Sequence, residues 1–125
     1  SDQAWVFDPN RGTFAAVGSP MKEARAGHSA IYLTKLNQVL IVGGTQQMSM
    51  PANGASPPTW KATNGVNLTW EVYDVATGTF LSPKNGGSDV RKRVMPILLP
   101  LAGDNVAVLG GAPWPGGYFC RYRTW

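Results

Sequence analysis

Charged and metal-ligating side chains are scarce in this sequence. Its 125 residues include one cysteine, one histidine and seven acidic residues. A lone cysteine excludes an internal disulfide, and a metal site normally needs several His, Cys or clustered carboxylate ligands. We therefore expect no metal ion and no other cofactor. The net charge of +4 is too small to indicate nucleic-acid binding by itself.

Long apolar runs and helical periodicity are also missing. The chain has no run of apolar residues long enough for a transmembrane helix, and it shows no signal peptide. Apolar residues do not recur at the spacing of an amphipathic helix. Fifteen glycines and ten prolines instead separate short apolar runs. This pattern is typical of an all-β chain, so we expect no helix beyond a turn.

What the sequence does contain is an internal repeat. Trp5-Val6-Phe7-Asp8 and Glu71-Val72-Tyr73-Asp74 open two similar stretches that each continue into Gly-Thr-Phe. An internal repeat identifies the unit of architecture, which a local motif does not. The offset is 66 for Asp8 and Asp74, Gly12 and Gly78, Phe14 and Phe80, and Arg25 and Arg91, and it is 67 for Gly43-Gly44 and Gly110-Gly111.

The order of these elements resembles the kelch family of β-propeller repeats. Gly27-His28, Gly43-Gly44, Tyr73-Asp74 and Gly78-Thr79-Phe80 follow one another as kelch elements do. The resemblance covers most of the chain outside 45–69 and 112–125. A kelch repeat has about 50 residues. The longer period here implies an insertion, which we place at 45–69.

The resemblance implies a segment of about two four-stranded propeller blades, cut in a permuted order. We treat 1–125 as a single domain, part of a larger or oligomeric ring. It comprises a first repeat (1–44), an inserted loop (45–69), a second repeat (70–111) and the start of the next blade or a tail (112–125). With the strands of a blade named a to d, we expect c and d at 4–8 and 13–17, a complete blade at 28–34, 38–43, 70–74 and 79–82, and a and b at 93–100 and 105–109.

The two end pairs of strands, 4–17 and 93–109, would be complementary halves of a blade. Natural propellers close a ring of roughly four to eight blades, so two blades leave apolar strand edges open. We therefore expect this chain to pair with other polypeptide. The partner is either the remaining blades of a larger parent protein or identical chains.

One loop face of the expected fold is rich in basic residues. Strand direction alternates within a blade, so the b–c and d–a loops share a face, which carries seven of the eleven basic residues and two of the seven acids. This imbalance favours an anionic partner, such as an acidic glycan or an acidic protein surface. Trp60 either offers a platform for a sugar or protein contact or anchors its own loop. The candidate binding residues are Trp60, Lys22, Lys61, Lys84 and Lys92; for Lys22, Lys84 and Lys92 the alternative is simple solvation.

Other recurring or singular residues fit structural roles. Arg25 and Arg91, being repeated, can bind loop carbonyls between blades, and His28 stands where kelch-like repeats keep a packed histidine. Cys120 is either a half-buried thiol or the partner of a cysteine in a missing part of the protein. The residues assigned to the structural repeat are Asp8, Gly12, Arg25, His28, Gly43, Gly44, Asp74, Gly78, Arg91, Gly110 and Gly111.

The sequence favours binding over catalysis. It contains no nucleophile elbow and no phosphate-binding loop. We therefore expect a non-catalytic binding or structural module that engages a glycan or protein through one loop face. Asn67-Leu68-Thr69 is a glycosylation sequon with Asn67 as acceptor, which favours an extracellular or cell-surface location. The kelch resemblance implies one enzymatic alternative: a segment, without the copper ligands, of a galactose-oxidase-like or glyoxal-oxidase-like radical copper oxidase.

Overall fold

The chain is all-β wherever its structure is described, as the sequence predicts. A computed structural model describes residues 1–49, 59–66, 69–81, 84–85, 93–113 and 118–120, with side chains for 1–46, 70–81 and 93–111. These residues form small antiparallel sheets and one 3-10 turn at Ala102–Asp104. No helix in this part of the chain is long and apolar enough to cross a membrane. The strands are β1 (Trp5–Asp8), β2 (Thr13–Ala16), β3 (Ser29–Leu33), β4 (Gln38–Val42), β5 (Thr45–Ser49), β6 (Thr59–Val66), β7 (Thr69–Asp74), β8 (Thr79–Phe80), β9 (Lys84–Asn85), β10 (Arg93–Val94), β11 (Ile97–Pro100), β12 (Val106–Leu109), β13 (Ala112–Pro113) and β14 (Tyr118–Cys120).

The largest sheet places β3, β4, β7 and β8 side by side in chain order, each antiparallel to the next. Ser29 lies opposite Val42, and Ile41 lies opposite Glu71. β9 pairs with the start of β7, so β8 and β9 share one edge of that strand. The almost purely aliphatic run of β4 suits a strand with neighbours on both sides.

Two further hairpins repeat parts of this sheet. β1 pairs with β2 as β7 pairs with β8, with Asp8 opposite Thr13. Both hairpins also contain a pair of aromatic rings in contact: the ring centroids are 4.9 Å apart for Phe7 and Phe14, and 5.2 Å apart for Tyr73 and Phe80. β11 pairs with β12 as β3 pairs with β4.

The core lies between the first hairpin and the large sheet. Met21, Ile41 and Phe80 are buried together, and Ala4 and Val17 pack against them from the side of β1 and β2. The outer parts of the hairpins stay exposed. Examples are Trp5 (62% exposed), Phe14 (68%) and Ile97 (61%).

In the second copy of the β3–β4 arrangement, β11 follows β3 at an offset of 68 and β12 follows β4 at an offset of 67, whereas the repeat in the sequence begins at an offset of 66. Ser29 corresponds to Ile97 by strand register. Gly27 and Met95, 68 apart, both have left-handed φ, at 66° and 55°. This places Arg93, and not Arg91, at the position of Arg25, although the offset of 66 in the sequence pairs Arg25 with Arg91. Arg91 lies outside the described residues.

The segment 45–69, expected as an inserted loop, contains two paired strands. β5 and β6 form an antiparallel hairpin, and β14 pairs with the other edge of β6, with Phe119 opposite Trp60. A strand pair satisfies the backbone amides and carbonyls of a long insertion, which a structureless loop would leave to solvent. Among the described residues, β14 thus belongs to the sheet of the insertion, and β12 pairs with β11.

Gly43 makes one of the closest backbone contacts of the fold. It has a left-handed φ of 73°, and a Cβ built on it would overlap the backbone carbonyl oxygen of Arg93. Gly12 has a similar φ of 65°, but a Cβ there would have no atom within 4 Å. Substitutions at the two glycines therefore distinguish the destabilisation caused by a left-handed backbone from that caused by crowding.

We expect Gly43→Ala to lower the free energy of unfolding by about 3 kcal/mol or more, and the control Gly12→Ala by about 1 to 2 kcal/mol. The left-handed conformation contributes to both values, and only Gly43→Ala must also move backbone. Urea denaturation followed by circular dichroism measures both. Equal losses in the two variants would contradict the close contact at Gly43.

Candidate functional site

The most elaborate polar site of the described residues surrounds Glu71, in the middle of the large sheet. Glu71 is fully buried, and Arg25 is 3% exposed. The Arg25 Nη2 and Nε atoms donate to Glu71 Oε1 at 3.0 and 3.2 Å. Arg25 Nη1 donates to the Gly43 carbonyl oxygen at 2.9 Å. One guanidinium thus joins β7 to the end of β4.

The carboxylate of Glu71 also holds the backbone of the segment before β3. The Lys22 amide donates to Oε2 at 2.8 Å, and the Glu23 amide donates to Oε1 at 3.2 Å. Glu23 adds a second carboxylate 3.5 Å from Arg25 Nη2. A buried charge is tolerated only when it is paired and hydrogen-bonded, and both conditions are met here.

Backbone contacts bring the segments around this ion pair to one end of the sheet. Ala26 and Thr45 exchange two amide–carbonyl bonds of 2.8 and 2.9 Å. The Gly44 amide donates to the Arg93 carbonyl at 3.0 Å. The structure therefore gathers 22–27, 43–45 and 93–95 at one end, which we call the loop face. The opposite end carries the β3–β4 turn, where the Leu36 amide donates to Asp104 at 2.9 Å.

Arg93 repeats part of the Arg25 arrangement. Its Nη1 atom donates to the carbonyl oxygen of Gly110 at 2.6 Å, as Arg25 donates to Gly43. Gly111 approaches Val94 closely, since a Cβ there would lie 3.0 Å from the Val94 carbonyl oxygen. Arginine and diglycine thus recur together in both copies of the hairpin.

The two repeated aspartates organise turns. The Asp8 carboxylate accepts the Asn10 amide at 2.9 Å, and the Asp74 carboxylate accepts the Thr77 amide at 3.1 Å. Each turn closes with a glycine amide on the aspartate carbonyl, at 2.8 Å for Gly12 and 2.9 Å for Gly78. Hydrogen bonds from the Thr77 hydroxyl and amide lower the pKa of Asp74 below its ordinary value. These residues shape the backbone at the end away from the loop face.

The candidate binding residues are distributed unevenly in the structure. Lys22 lies on the loop face with an exposed side chain. Trp60 and Lys61 lie in β6, opposite Phe119 and Tyr118, and Lys84 lies in β9 opposite Trp70. Lys92 and the sequon residue Asn67 are outside the described residues. Of the candidate binding residues, Lys22 alone lies among those whose side chains the structure describes.

Cys120 and His28 lie in different parts of the fold. Cys120 lies in β14, where its backbone is opposite Thr59 of β6. His28 follows the left-handed Gly27, and a Cβ built on Gly44 would lie 3.2 Å from the His28 backbone nitrogen. Burial lowers the pKa of His28, and the positive charges of Arg25 and the Ser1 amino group lower it further. Among the described residues, no three His, Cys, Asp or Glu side chains are grouped so that they could hold a metal ion.

Sequence reasoning missed Glu71 as the partner of Arg25. In the repeat Glu71 aligns with Trp5, so the acid has no counterpart in the first copy that would mark it as a structural residue. A signal was present, since Glu71 lies among the apolar residues Trp70, Val72 and Tyr73, and a buried carboxylate requires a cation.

Comparisons of this chain with protein-family models, curated proteins and solved structures found no match. Functional inference therefore depends on the residues of the chain itself.

We expect Glu71→Gln to lower the free energy of unfolding by about 3 kcal/mol or more, because it leaves the buried Arg25 without its main counter-charge. Arg11→Gln is the matched control. It removes an ion pair of 3.4 Å whose arginine is 82% exposed, and should change stability by less than about 1 kcal/mol. Denaturant titration at neutral pH compares them. Similar small losses in the two variants would show that the charge of Glu71 contributes little to the stability of the fold.

The lowered pKa of His28 makes stability depend on pH. The folded protein resists protonation of His28, so the unfolded chain binds the proton first as pH falls. Stability is therefore greatest above the ordinary histidine pKa of 6.5 and decreases as pH falls below it. Because His28 is the only histidine, one NMR titration gives its pKa directly. A midpoint at or above 6.5 would contradict the expectation, and His28→Asn should remove its share of the pH dependence.

Proposed function

We propose that this chain is a non-catalytic binding or structural module of kelch-like propeller blades, extracellular or at the cell surface, that engages an acidic glycan or protein through its loop face. The observation that carries the proposal is the state of Lys22. Its backbone amide is bound by the buried carboxylate of Glu71, while its side chain is exposed. A fixed backbone holds an exposed cation in place, which reduces the entropy lost when a ligand binds.

The charge of the whole face supports the same proposal. Lys22, Arg25 and Arg93 lie on the loop face, and Lys84 lies in β9, which pairs with the first residues of β7. Glu71 and Arg25 neutralise each other, so the buried pair does not oppose an anion at the surface. A surface with excess positive charge attracts anionic partners and raises their rate of association.

The repeated hairpins support the propeller part of the proposal. The four-stranded antiparallel order of β3, β4, β7 and β8 is that of one blade. β1–β2 repeats its second half with the same turn and aromatic pair, and β11–β12 repeats the strand pairing of its first half. In this proposal the partners of the two half-blades are the remaining blades of a parent protein or identical chains.

We expect the protein to bind sulfated or carboxylated glycans on a glycan array, and Lys22→Glu to weaken that binding by roughly tenfold at low salt, about 1.4 kcal/mol. Lys35→Glu makes the same charge change in the β3–β4 turn at the opposite end of the sheet. It should have little effect, because exposed charges more than about 10 Å apart are screened. Trp60→Ala tests whether Trp60 also contacts the glycan.

Equal losses in Lys22→Glu and Lys35→Glu would show that only net charge matters and would remove the loop face as the site. Binding of neutral glycans alone would contradict the acidic ligand. Stoichiometric copper in the intact parent protein would instead favour the oxidase segment that the kelch resemblance also implies.

A further inference from the structure

The long hairpin over 93–113 is interrupted at the same level in both of its strands. β10 pairs with β13 and β11 pairs with β12, but the two pairs belong to separate sheets. Between them Met95 has a left-handed φ of 55° on one strand, and Gly110 and Gly111 have φ of 61° and 83° on the other. Hinges are commonly a few residues at the ends of elements that absorb changes in φ and ψ. The interruption has this form, and we call β11–β12 beyond it the outer hairpin.

The part of the hairpin before the interruption is fixed to the loop face. The Gly44 amide donates to the Arg93 carbonyl oxygen at 3.0 Å, and the Met95 amide donates to the Gly27 carbonyl oxygen at 2.6 Å. Val94 between them is 2% exposed. β10 is therefore anchored by backbone hydrogen bonds and by a buried side chain, so the interruption starts from a fixed point.

Asp104 connects the far end of the outer hairpin to the β3–β4 turn. The Leu36 amide donates to Asp104 Oδ2 at 2.9 Å, and the Thr34 hydroxyl donates to Oδ1 at 3.5 Å. Asp104 has a left-handed φ of 59°. Its turn is closed by the Leu101 amide, which donates to the Asn105 carbonyl oxygen at 2.8 Å. One carboxylate, presented by a shaped turn, thus holds the neighbouring turn.

The first copy has the same interruption but a different constraint. Gly27 has a left-handed φ of 66°, and Gly43 and Gly44 have φ of 73° and 94°. There β4 pairs with β7 as well as with β3, so the large sheet holds the hairpin along its whole length. In the described part of the chain, β12 has β11 as its strand partner. The bonds of Asp104 therefore matter more to the outer hairpin than the corresponding turn does to β3–β4.

We propose that the outer hairpin is a hinged flap, which turns about Met95 and Gly110-Gly111 and which Asp104 latches closed against β3. The hinge lies at the anchored end and the latch at the opposite end, so release of one carboxylate frees the whole length of the flap. The core around Met21, Ile41 and Phe80 belongs to the other side of the large sheet and stays intact when the flap opens.

The closed flap covers one face of β3. β11 packs against β3, and the Ser29 hydroxyl donates to the Pro96 carbonyl oxygen just before β11. Side chains alternate along a strand, so Ile31 and Leu33 share the face of Ser29. Leu33 is 8% exposed. Opening of the flap should therefore uncover Leu33.

Thiol labelling of the full chain tests the proposal. The background is Cys120→Ser, which removes the native thiol, and Leu33→Cys reports on the face under the flap. Asp104→Gly removes the latch and keeps the left-handed conformation, which glycine adopts without strain. We expect it to raise the rate at which a soluble disulfide reagent labels Leu33→Cys by about tenfold, because a hydrogen bond to a charged group is lost.

Three controls separate flap opening from general loosening of the fold. Ile41→Cys reports on the opposite face, since Ile41 is opposite Ala30 and 6% exposed, and Asp104→Gly should change its labelling by less than about twofold. Asp104→Asn keeps a neutral acceptor and should raise labelling of Leu33→Cys by only about threefold. In Asp8→Gly the lost carboxylate bonds amides of its own turn, so labelling of Leu33→Cys should not change.

Each outcome decides the proposal. Equal acceleration at Leu33→Cys and Ile41→Cys would mean that Asp104→Gly destabilises the whole fold and that no flap opens separately. An unchanged rate at Leu33→Cys would show that Asp104 is not the latch, and the same acceleration in Asp8→Gly would show that any altered turn has this effect. Ile31→Cys, on the same face, replaces Leu33→Cys if circular dichroism shows that the latter disturbs the fold.

Discussion

The ion pair between Arg25 and Glu71 is the constraint on which the rest of the fold depends. It connects three parts of the chain: the segment before β3, the end of β4 and the middle of β7. It also defines the register of β7. A slip of one residue would turn the Glu71 side chain to the other face of the sheet, away from Arg25. A buried pair of this kind specifies one arrangement even where its net contribution to stability is small.

The apolar core explains why such a polar constraint matters. Three side chains form the buried cluster in the described residues, Met21, Ile41 and Phe80. Large apolar side chains in both flanking hairpins remain exposed. Apolar packing is tolerant of small shifts in geometry, whereas hydrogen bonds to a buried carboxylate are directional. The polar network and the glycine contacts at Gly43 and Gly44 therefore select the arrangement that the small core stabilises.

The features that the sequence predicted are those determined by nearby residues. The all-β character follows from the short apolar runs, and the structural role expected for Asp8 and Asp74 is a local one, since each side chain bonds an amide two or three residues ahead. Features that depend on distant residues were missed. The Arg25 partner lies 46 residues away, and the match between Arg25 and Arg93 depends on an offset of 68 that the repeat in the sequence, with its offset of 66, does not show. The pairing of β14 with β6 was also missed, since nothing local identifies strand partners across an insertion.

The insertion at 45–69 has a consequence for how this fold can change in length. It lies between the two partners of the buried ion pair, which must be brought together whatever the length of the chain between them. The entropy of closing a loop grows only with the logarithm of its length, so doubling this separation would cost only about 0.6 kcal/mol. The insertion can therefore lengthen or shorten during evolution with little effect on stability, whereas a single-residue change within β4 or β7 would shift the pairing itself.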